Sequence, residues 1–533
     1  MNIAFRIKEQ AKIRPDKRAV VHENSFYTFR EFEERSNQMA HYFESIGINR
    51  GKRTLLFVKP CLDFSVITFA LFKVGAIPVL IDPGMGMKNL LSSISQVKPF
   101  AMIAIDLVHW VRRVKRKTFS SVEVNVFLDD LFQGMEAFPK VYHPVQVTSD
   151  DHSAILFTSG GTGTPKGVEY THGILNAQTD ILQKLFSLEP KDVDLPGFPL
   201  FALFTLAMGM TSVIPDMDPT KPAECDPAKI VKNILTHQVT FCAGSPAIWE
   251  RVGRYCVKHN IQLGSVKHVV MFGAPVRAEI HQLYRKILTN GDTYTPYGAT
   301  EALPVTLMRG SEVLRETAKL TARGGGVCIG RAVPGVGIKI ITISDIPETR
   351  LSEIPRGSIG EIVVTGPPVT PSYFELSEET QKAKIRVNGE LWHRMGDMGY
   401  IDSQNRVWFL GRKSHRVPYR EEILYPIAIE AIFNLHPEVK RSALVRFHEA
   451  PGLVIERHDG NMSMTPQFLG ELRELGQTHD KARLIKDFWL SSSFPVDIRH
   501  NIKIDRLKLS AWVTKGSILC RKNLSRRWHA FST

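Results

Sequence analysis

Short apolar runs alternate with helical repeats from the start of the chain to about residue 400, and this alternation limits the fold more than any other feature. Runs such as "AILF" (Ala154–Phe157), "HVVMFG" (His268–Gly273) and "EIVVTG" (Glu361–Gly366) have strand length and little polar interruption, as expected of strands covered on both faces. In "THGILNAQTDILQKLF" the side chains of Ile174, Ala177, Ile181, Leu182 and Leu185 fall on one face at helical spacing, which predicts an amphipathic helix. Strands interleaved with helices predict an α/β fold. With 533 residues and 43% hydrophobic content, the chain can bury large cores and divide into a few domains.

The most apolar stretch, "FSVITFALFKVGAIPVLIDPG" from Phe64, approaches the length of a membrane span. Lys73, Gly75 and Pro78 interrupt it. It is read instead as a buried helix ending near Gly75 and then a core strand. The N-terminus "MNIAFRIKEQAKIRPDKRAVV" carries charges throughout and lacks a secretory signal core. The six cysteines show no CxxC or other ligand spacing, so neither disulfides nor zinc are expected, and a reducing, cytoplasmic setting is.

The net charge of +14 is concentrated in "RRVKRK" (Arg112–Lys117) and in the acid-free tail "KGSILCRKNLSRRWHAFST" from Lys515. Neither run is interleaved with stacking aromatics in a nucleic-acid signature. A solvated basic face is expected and nucleic-acid binding is not; peripheral contact with an anionic membrane is the second reading. No internal repeat or low-complexity linker is present. Composition shifts near "FLGRKSHRV" (Phe409–Val417), which divides the chain into a large unit, 1–410, and a smaller α+β unit, 411–533.

One segment calls for a chemical explanation: "LFTSGGTGTPKGVEYTHG" (Leu156–Gly173) places glycines, hydroxyls and Lys166 after an apolar strand. Such loops wrap phosphate with backbone N–H groups and a cation. It is not a Walker A loop, because Lys166 follows Pro165 and "GVEY" behind it has strand rather than helix character. Downstream lie "FGAP" (Phe272–Pro275), "YGATE" (Tyr297–Glu301), "RMGDMGYID" around Asp397, "GRKSHR" with Arg412, and "HNIKIDRLKLS" with Lys503.

In this order, over about 350 residues, the six motifs resemble those of the AMP-forming adenylation superfamily of acyl-CoA synthetases, luciferases and peptide-synthetase adenylation domains. The resemblance implies a large multi-subdomain N-terminal adenylation domain and a small mobile C-terminal domain carrying the catalytic lysine. It implies ATP and Mg²⁺ as cofactors. Thr158, Ser159, Gly160, Thr162, Gly163 and Lys166 would hold phosphate. Gly273, Ala274, Pro275, Tyr297 and Gly298 would hold adenine, while Asp397 and Arg412 would grip the ribose. Catalysis would fall to Lys503, Thr300 and Glu301, with Glu301 also the metal ligand. One loop position departs from the pattern, since Gly161 stands where the family has a hydroxyl.

Further stretches, including "IDPGMG", "FPLFALFTLAMGMTSVIPDMDPTKPA" and "FPVDIRHNIKI", resemble the β-lactone synthetase branch of bacterial long-chain olefin biosynthesis. This implies activation of a long-chain 2-alkyl-3-hydroxy acid, closure to a β-lactone, and olefin-pathway enzymes as partners. A long-chain fatty acid-CoA ligase or acyl-AMP ligase is the alternative, and a non-catalytic nucleotide binder the third reading. Ser414 replaces the family's Asp or Lys hinge, and "VPYREEILYP" lacks the glycine expected near a pantetheine arm; both favour lactone over thioester. His393 and His415 are the candidate bases for the hydroxyl proton. Phe198–Met210 and Trp249 are expected to line the acyl pocket.

Overall fold

A computed structural model describes residues 1–158, 165–496 and 504–515. Two sheets form the large unit. The six-stranded sheet runs, by strand, Val124–Phe127, Ala101–Ala104, Arg53–Phe57, Ile77–Leu80, His152–Thr158 and Lys166–Thr171. All neighbours pair in parallel except the last two, which form an antiparallel hairpin across the glycine-rich loop, Thr158 opposite Lys166. The strand Ala101–Ala104 is buried along its whole length, which explains its uninterrupted apolar sequence.

The second sheet has fourteen strands and changes character along its width. Its parallel half contains Val193–Pro196, Phe241–Gly244, His268–Met271 and Asp292–Ala299. Its antiparallel half runs through Ala302–Arg309, Val327–Ala332, Val407–Arg412 and Glu390–Ile401. The strand Val407–Arg412 lies inside this sheet, paired with Glu390–Ile401. A separate core then gathers around Leu424, Phe433, Leu453 and Leu472. It is covered by a three-stranded sheet, Val439–Phe447, Ala450–Arg457 and Asp487–Leu490, and by the helices Pro426–Phe433 and Pro466–Gln477.

The apolar stretch from Phe64 forms a helix, Leu62–Lys73, and a strand, Ile77–Leu80, as its interruptions predict. Among the described residues no helix is long and apolar enough to cross a membrane. Lys73 is fully buried, and its Nζ donates to Glu33 Oε2 at 2.7 Å, Ser36 Oγ at 2.7 Å and Asn37 Oδ1 at 2.6 Å. The three acceptors sit at i, i+3 and i+4 on the helix Phe29–Ser45, one face of a helical turn. A buried ammonium requires such saturation, and here it staples two helices together.

A second buried ionisable group anchors the segment expected to bind an acyl chain. Thr205, in the helix Ala202–Ala207, donates to Asp194 Oδ2 at 2.7 Å. Burial pushes the Asp194 carboxyl up to about 7. An unfolded carboxyl titrates near its ordinary value, so between about 4 and 7 the folded chain holds a proton that the unfolded chain has lost. Stability from this residue is therefore present at low pH and lost as pH rises through 7. Asp194→Asn should gain on the natural chain as pH increases from 5 to 8, with the difference in melting temperature widening by roughly 2 °C or more. Parallel thermal melts check this; a constant difference would place the charged form in a solvated site.

Candidate active site

A cleft of about 2020 Å³ lies between the large unit and the C-terminal unit. The described residues expected to hold the nucleotide and metal line it: Thr158 and Lys166 from the hairpin, Gly273 to Pro275, Tyr297, Gly298, Thr300 and Glu301, and Asp397 with Arg412. Ser159, Gly160, Thr162, Gly163 and Lys503 lie outside the described residues.

Thr300 and Glu301 form the two-residue turn between the antiparallel strands Asp292–Ala299 and Ala302–Arg309, Ala299 opposite Ala302. Gly298 just before it is a steric requirement, because a Cβ there would lie 2.6 Å from the Ala302 carbonyl oxygen. The turn is held from three sides. Tyr170 Oη donates to the Thr300 carbonyl at 2.7 Å, Tyr373 Oη donates to Glu301 Oε1 at 2.7 Å, and the Thr370 N–H donates to the Glu301 carbonyl at 2.9 Å. Lys384 braces Thr370 in turn through a bond to its carbonyl at 2.5 Å, and burial lowers its ammonium to about 7.

At the other wall, Asp397 and Arg412 face each other across paired strands and form an ion pair at 3.1 Å. Tyr297 Oη donates to Asp397 Oδ2 at 2.7 Å, so this carboxylate ties the two halves of the large sheet together. Burial and the neighbouring Asp397 charge hold the Tyr297 phenol well above its ordinary range, so it stays a donor. The opposite charge of Asp397 likewise raises the Arg412 guanidinium.

Gly273 has a positive φ of +94°, which lets the chain turn sharply after the strand His268–Met271 and opens Gly273–Pro275 to the cleft. The Phe272 ring packs against that of Phe201, with centroids 4.5 Å apart and the planes tilted by 36°. The shelf expected for a base therefore abuts the apolar segment, from which Phe198, Leu200, Phe201, Leu203, Phe204 and Met208 line the cleft. Trp249 does not line it. That residue is 1% exposed in a separate core, where its carbonyl accepts from Tyr284 Oη at 2.8 Å. It sits on the helix Pro246–Lys258, in a core that also holds Ile280, Tyr284 and Ile287 of the helix Ala278–Ile287.

His393 and His415 both line the cleft. Burial, reinforced by Lys384, keeps His393 well below its ordinary value, and its Nδ1 has no hydrogen-bond partner among the described residues. Burial and Arg506 bring His415 down to about 4. Ser414 sits in a short turn, Lys413–His415, whose flanks grip the large unit: Lys413 Nζ lies 2.6 Å from the Ser344 carbonyl and 3.2 Å from Glu361 Oε2, and Arg416 lies 2.6 Å from Asp345 Oδ2.

Among the described residues no cluster of three His, Cys, Asp or Glu side chains could hold a metal by itself. Glu301 is a lone carboxylate, which suits Mg²⁺: that ion keeps several waters and takes one or two carboxylates beside substrate phosphates.

Tyr373, Lys384 and Glu379 are parts of the site with no motif to announce them. Glu379 Oε2 lies 2.5 Å from Lys166 Nζ, and this contact holds the Glu379 carboxyl below its usual range. An anion approaching Lys166 must compete with Glu379. Glu379→Gln should therefore tighten binding of inorganic pyrophosphate about two- to fivefold, the scale of a partly exposed ion pair. Titration calorimetry measures it, and unchanged or weaker binding would separate Lys166 from the anion.

Comparison with known proteins places the chain in a family. The chain is 38% identical to the olefin β-lactone synthetase of Xanthomonas campestris pv. campestris, covering 97% of this chain and 98% of that one, and 39% identical to that of Stenotrophomonas maltophilia, covering 96% and 98%. A 4-coumarate–CoA ligase of Solanum tuberosum is 25% identical over 82% of the chain and 80% of its own length. The fold matches ATP-bound MatB from Rhodopseudomonas palustris with a TM-score of 0.80 at 22% identity, covering 96% of this chain and 99% of that one. Residues 7–374 match the family described as AMP-binding enzyme, and with two near-full-length relatives above 30% identity the chain belongs to the AMP-binding, adenylate-forming enzyme family.

Proposed function

We propose that this enzyme activates a long-chain 2-alkyl-3-hydroxy acid as its acyl-adenylate and closes it to a β-lactone, releasing AMP. The observation that carries this reading is one cleft in which the apolar segment Phe198–Met208 meets the Gly273–Pro275 shelf, the Thr300–Glu301 turn and the Asp397–Arg412 pair. An apolar tail and a nucleotide can be held there end to end.

In the first half-reaction the substrate carboxylate attacks the α-phosphorus of ATP and pyrophosphate leaves. Asp397 accepts hydrogen bonds from the ribose hydroxyls, a charge-assisted contact, and Gly273–Pro275 with Tyr297 holds the base. Lys166 and its loop receive the departing pyrophosphate. Thr300 and Lys503 stabilise charge developing between carboxylate and phosphate. Mg²⁺, held by Glu301, would supply neutralisation of phosphate charge.

In the second half-reaction the substrate's own 3-hydroxyl attacks the acyl carbon, the acyl–oxygen bond to phosphate breaks, and AMP departs. Being intramolecular, the attack needs no second substrate and little further loss of freedom. His393 accepts the hydroxyl proton in this reading; its neutral ring and unpartnered Nδ1 support it over His415. The braced junction around Ser414 and the glycine-free loop behind it favour closure over delivery to CoA. The 25%-identical relatives named as CoA ligases are the ground for the alternative, a long-chain acyl-CoA or acyl-AMP ligase. The five described cysteines are all free, in keeping with a cytoplasmic enzyme.

The deciding experiment incubates the chain with Mg-ATP and the hydroxy acid, with and without CoA, and identifies products by mass spectrometry. Lactone and AMP without CoA are expected; a thioester formed only with CoA would overturn the reading. Lys503→Ala should slow adenylate formation about 10²–10³-fold, the loss typical of one electrostatic stabiliser. His393→Gln should leave ATP–pyrophosphate exchange intact while slowing lactone release about 10²-fold, as removal of a general base does. Equal loss of both rates would make His393 structural.

A further inference from the structure

The helix Asp106–Val114 presents an apolar face that no other part of the described chain covers. Leu107, Trp110 and Val114 are 66%, 61% and 57% exposed and fall within one narrow arc of the helix, at i, i+3 and i+7. Rolling the helix cannot hide them, because its opposite side is fixed. His109 is buried, stacks on Phe127 at 3.7 Å and bonds the Val126 carbonyl at 3.1 Å. Val108 and Val111 pack into the core around Phe119 and Met102. The strand beneath, Val124–Phe127, is the edge of the six-stranded sheet, so this ridge stands at the border of the molecule.

The ridge continues into the most basic run of the described chain, Arg112–Lys117, five cations in six positions. None of the five makes an ion pair with a described acidic side chain, whereas most cations near the cleft do. The one neighbouring acid, Asp106, occupies the first turn of the helix, where it favours the helix dipole. A tryptophan beside aliphatic side chains and flanked by unpaired cations fits a bilayer surface: indole is favoured at the lipid–water interface, and lysine and arginine are drawn to anionic headgroups. A second copy of this chain is a poor occupant, since a two-fold contact would bring the two basic runs together.

We propose that Leu107, Trp110 and Val114, with the Arg112–Lys117 run, dock this enzyme peripherally on an anionic membrane surface. The proposal rests on this helix alone and stands or falls independently of the reaction assigned to the cleft. The experiment is flotation of the full chain with vesicles of phosphatidylglycerol and phosphatidylcholine, against vesicles of phosphatidylcholine only. Binding to the anionic vesicles and release by raised salt are expected. Leu107→Ser/Trp110→Ser should weaken binding about tenfold, and Arg113→Gln/Lys115→Gln/Arg116→Gln/Lys117→Gln should weaken it and flatten its salt dependence. Both variants keep the basic tail from Lys515, and both should keep the natural melting temperature and AMP production from a detergent-dispersed substrate. Flotation of either variant equal to the natural chain, or no flotation of the natural chain, would overturn the proposal. So would a lipid-independent change in sedimenting mass caused by Leu107→Ser/Trp110→Ser, which would make the ridge a protein interface.

Discussion

The buried carboxylate of Asp397 is the interaction around which the rest is arranged. It accepts from Tyr297, on a strand of the parallel half of the large sheet, and pairs with Arg412, the last residue of a strand in the antiparallel half. A carboxylate in so dry a place is tolerated only when its charge is balanced and its oxygens are bonded. Meeting that demand ties Tyr297, on the strand where the sheet changes from parallel to antiparallel, to the paired strands that carry Asp397 and Arg412. Asp397 also lines the cleft, so the group that secures the sheet stands at the wall of the site.

Elsewhere in the cleft, opposing groups satisfy one another. Lys166 is neutralised by Glu379, and Glu301 is bonded by Tyr373. A nucleotide entering must exchange these contacts for its own, which lowers net affinity but holds each side chain close to its working position. Preorganisation of this kind is where electrostatic catalysis gains most, since little reorients during the reaction. The apolar segment beside the shelf is anchored separately, through Thr205 and the buried Asp194.

Much of this was legible in the sequence because the motifs are local. A glycine-rich segment after a strand and a YGATE turn each place their chemistry within a few residues, and the Asp397–Arg412 pair is brought together by two consecutive strands. The helix and strand around Lys73 were legible for the same reason, since the interruptions Gly75 and Pro78 lie in the run itself. What escaped were residues whose roles depend on distant partners. Tyr373 and Glu379 come from an isolated bridge to Val168 and a short helix that carry no signature, and only the fold brings them to Glu301 and Lys166. Trp249, expected beside the acyl pocket from its place in the chain, packs instead in a separate core, because position along the sequence does not say which neighbour a side chain meets.

The most direct test of the chemistry uses a 2-alkyl-3-hydroxy acid labelled with ¹⁸O in both carboxyl oxygens, followed by mass spectrometry of the nucleotide and the lactone. If the carboxylate attacks the α-phosphorus and the 3-hydroxyl then displaces AMP, one labelled oxygen appears in AMP and one remains in the lactone carbonyl. If both labels remain in the lactone and none reaches AMP, the hydroxyl rather than the carboxylate is activated, and the cleft does not form the acyl-adenylate described here.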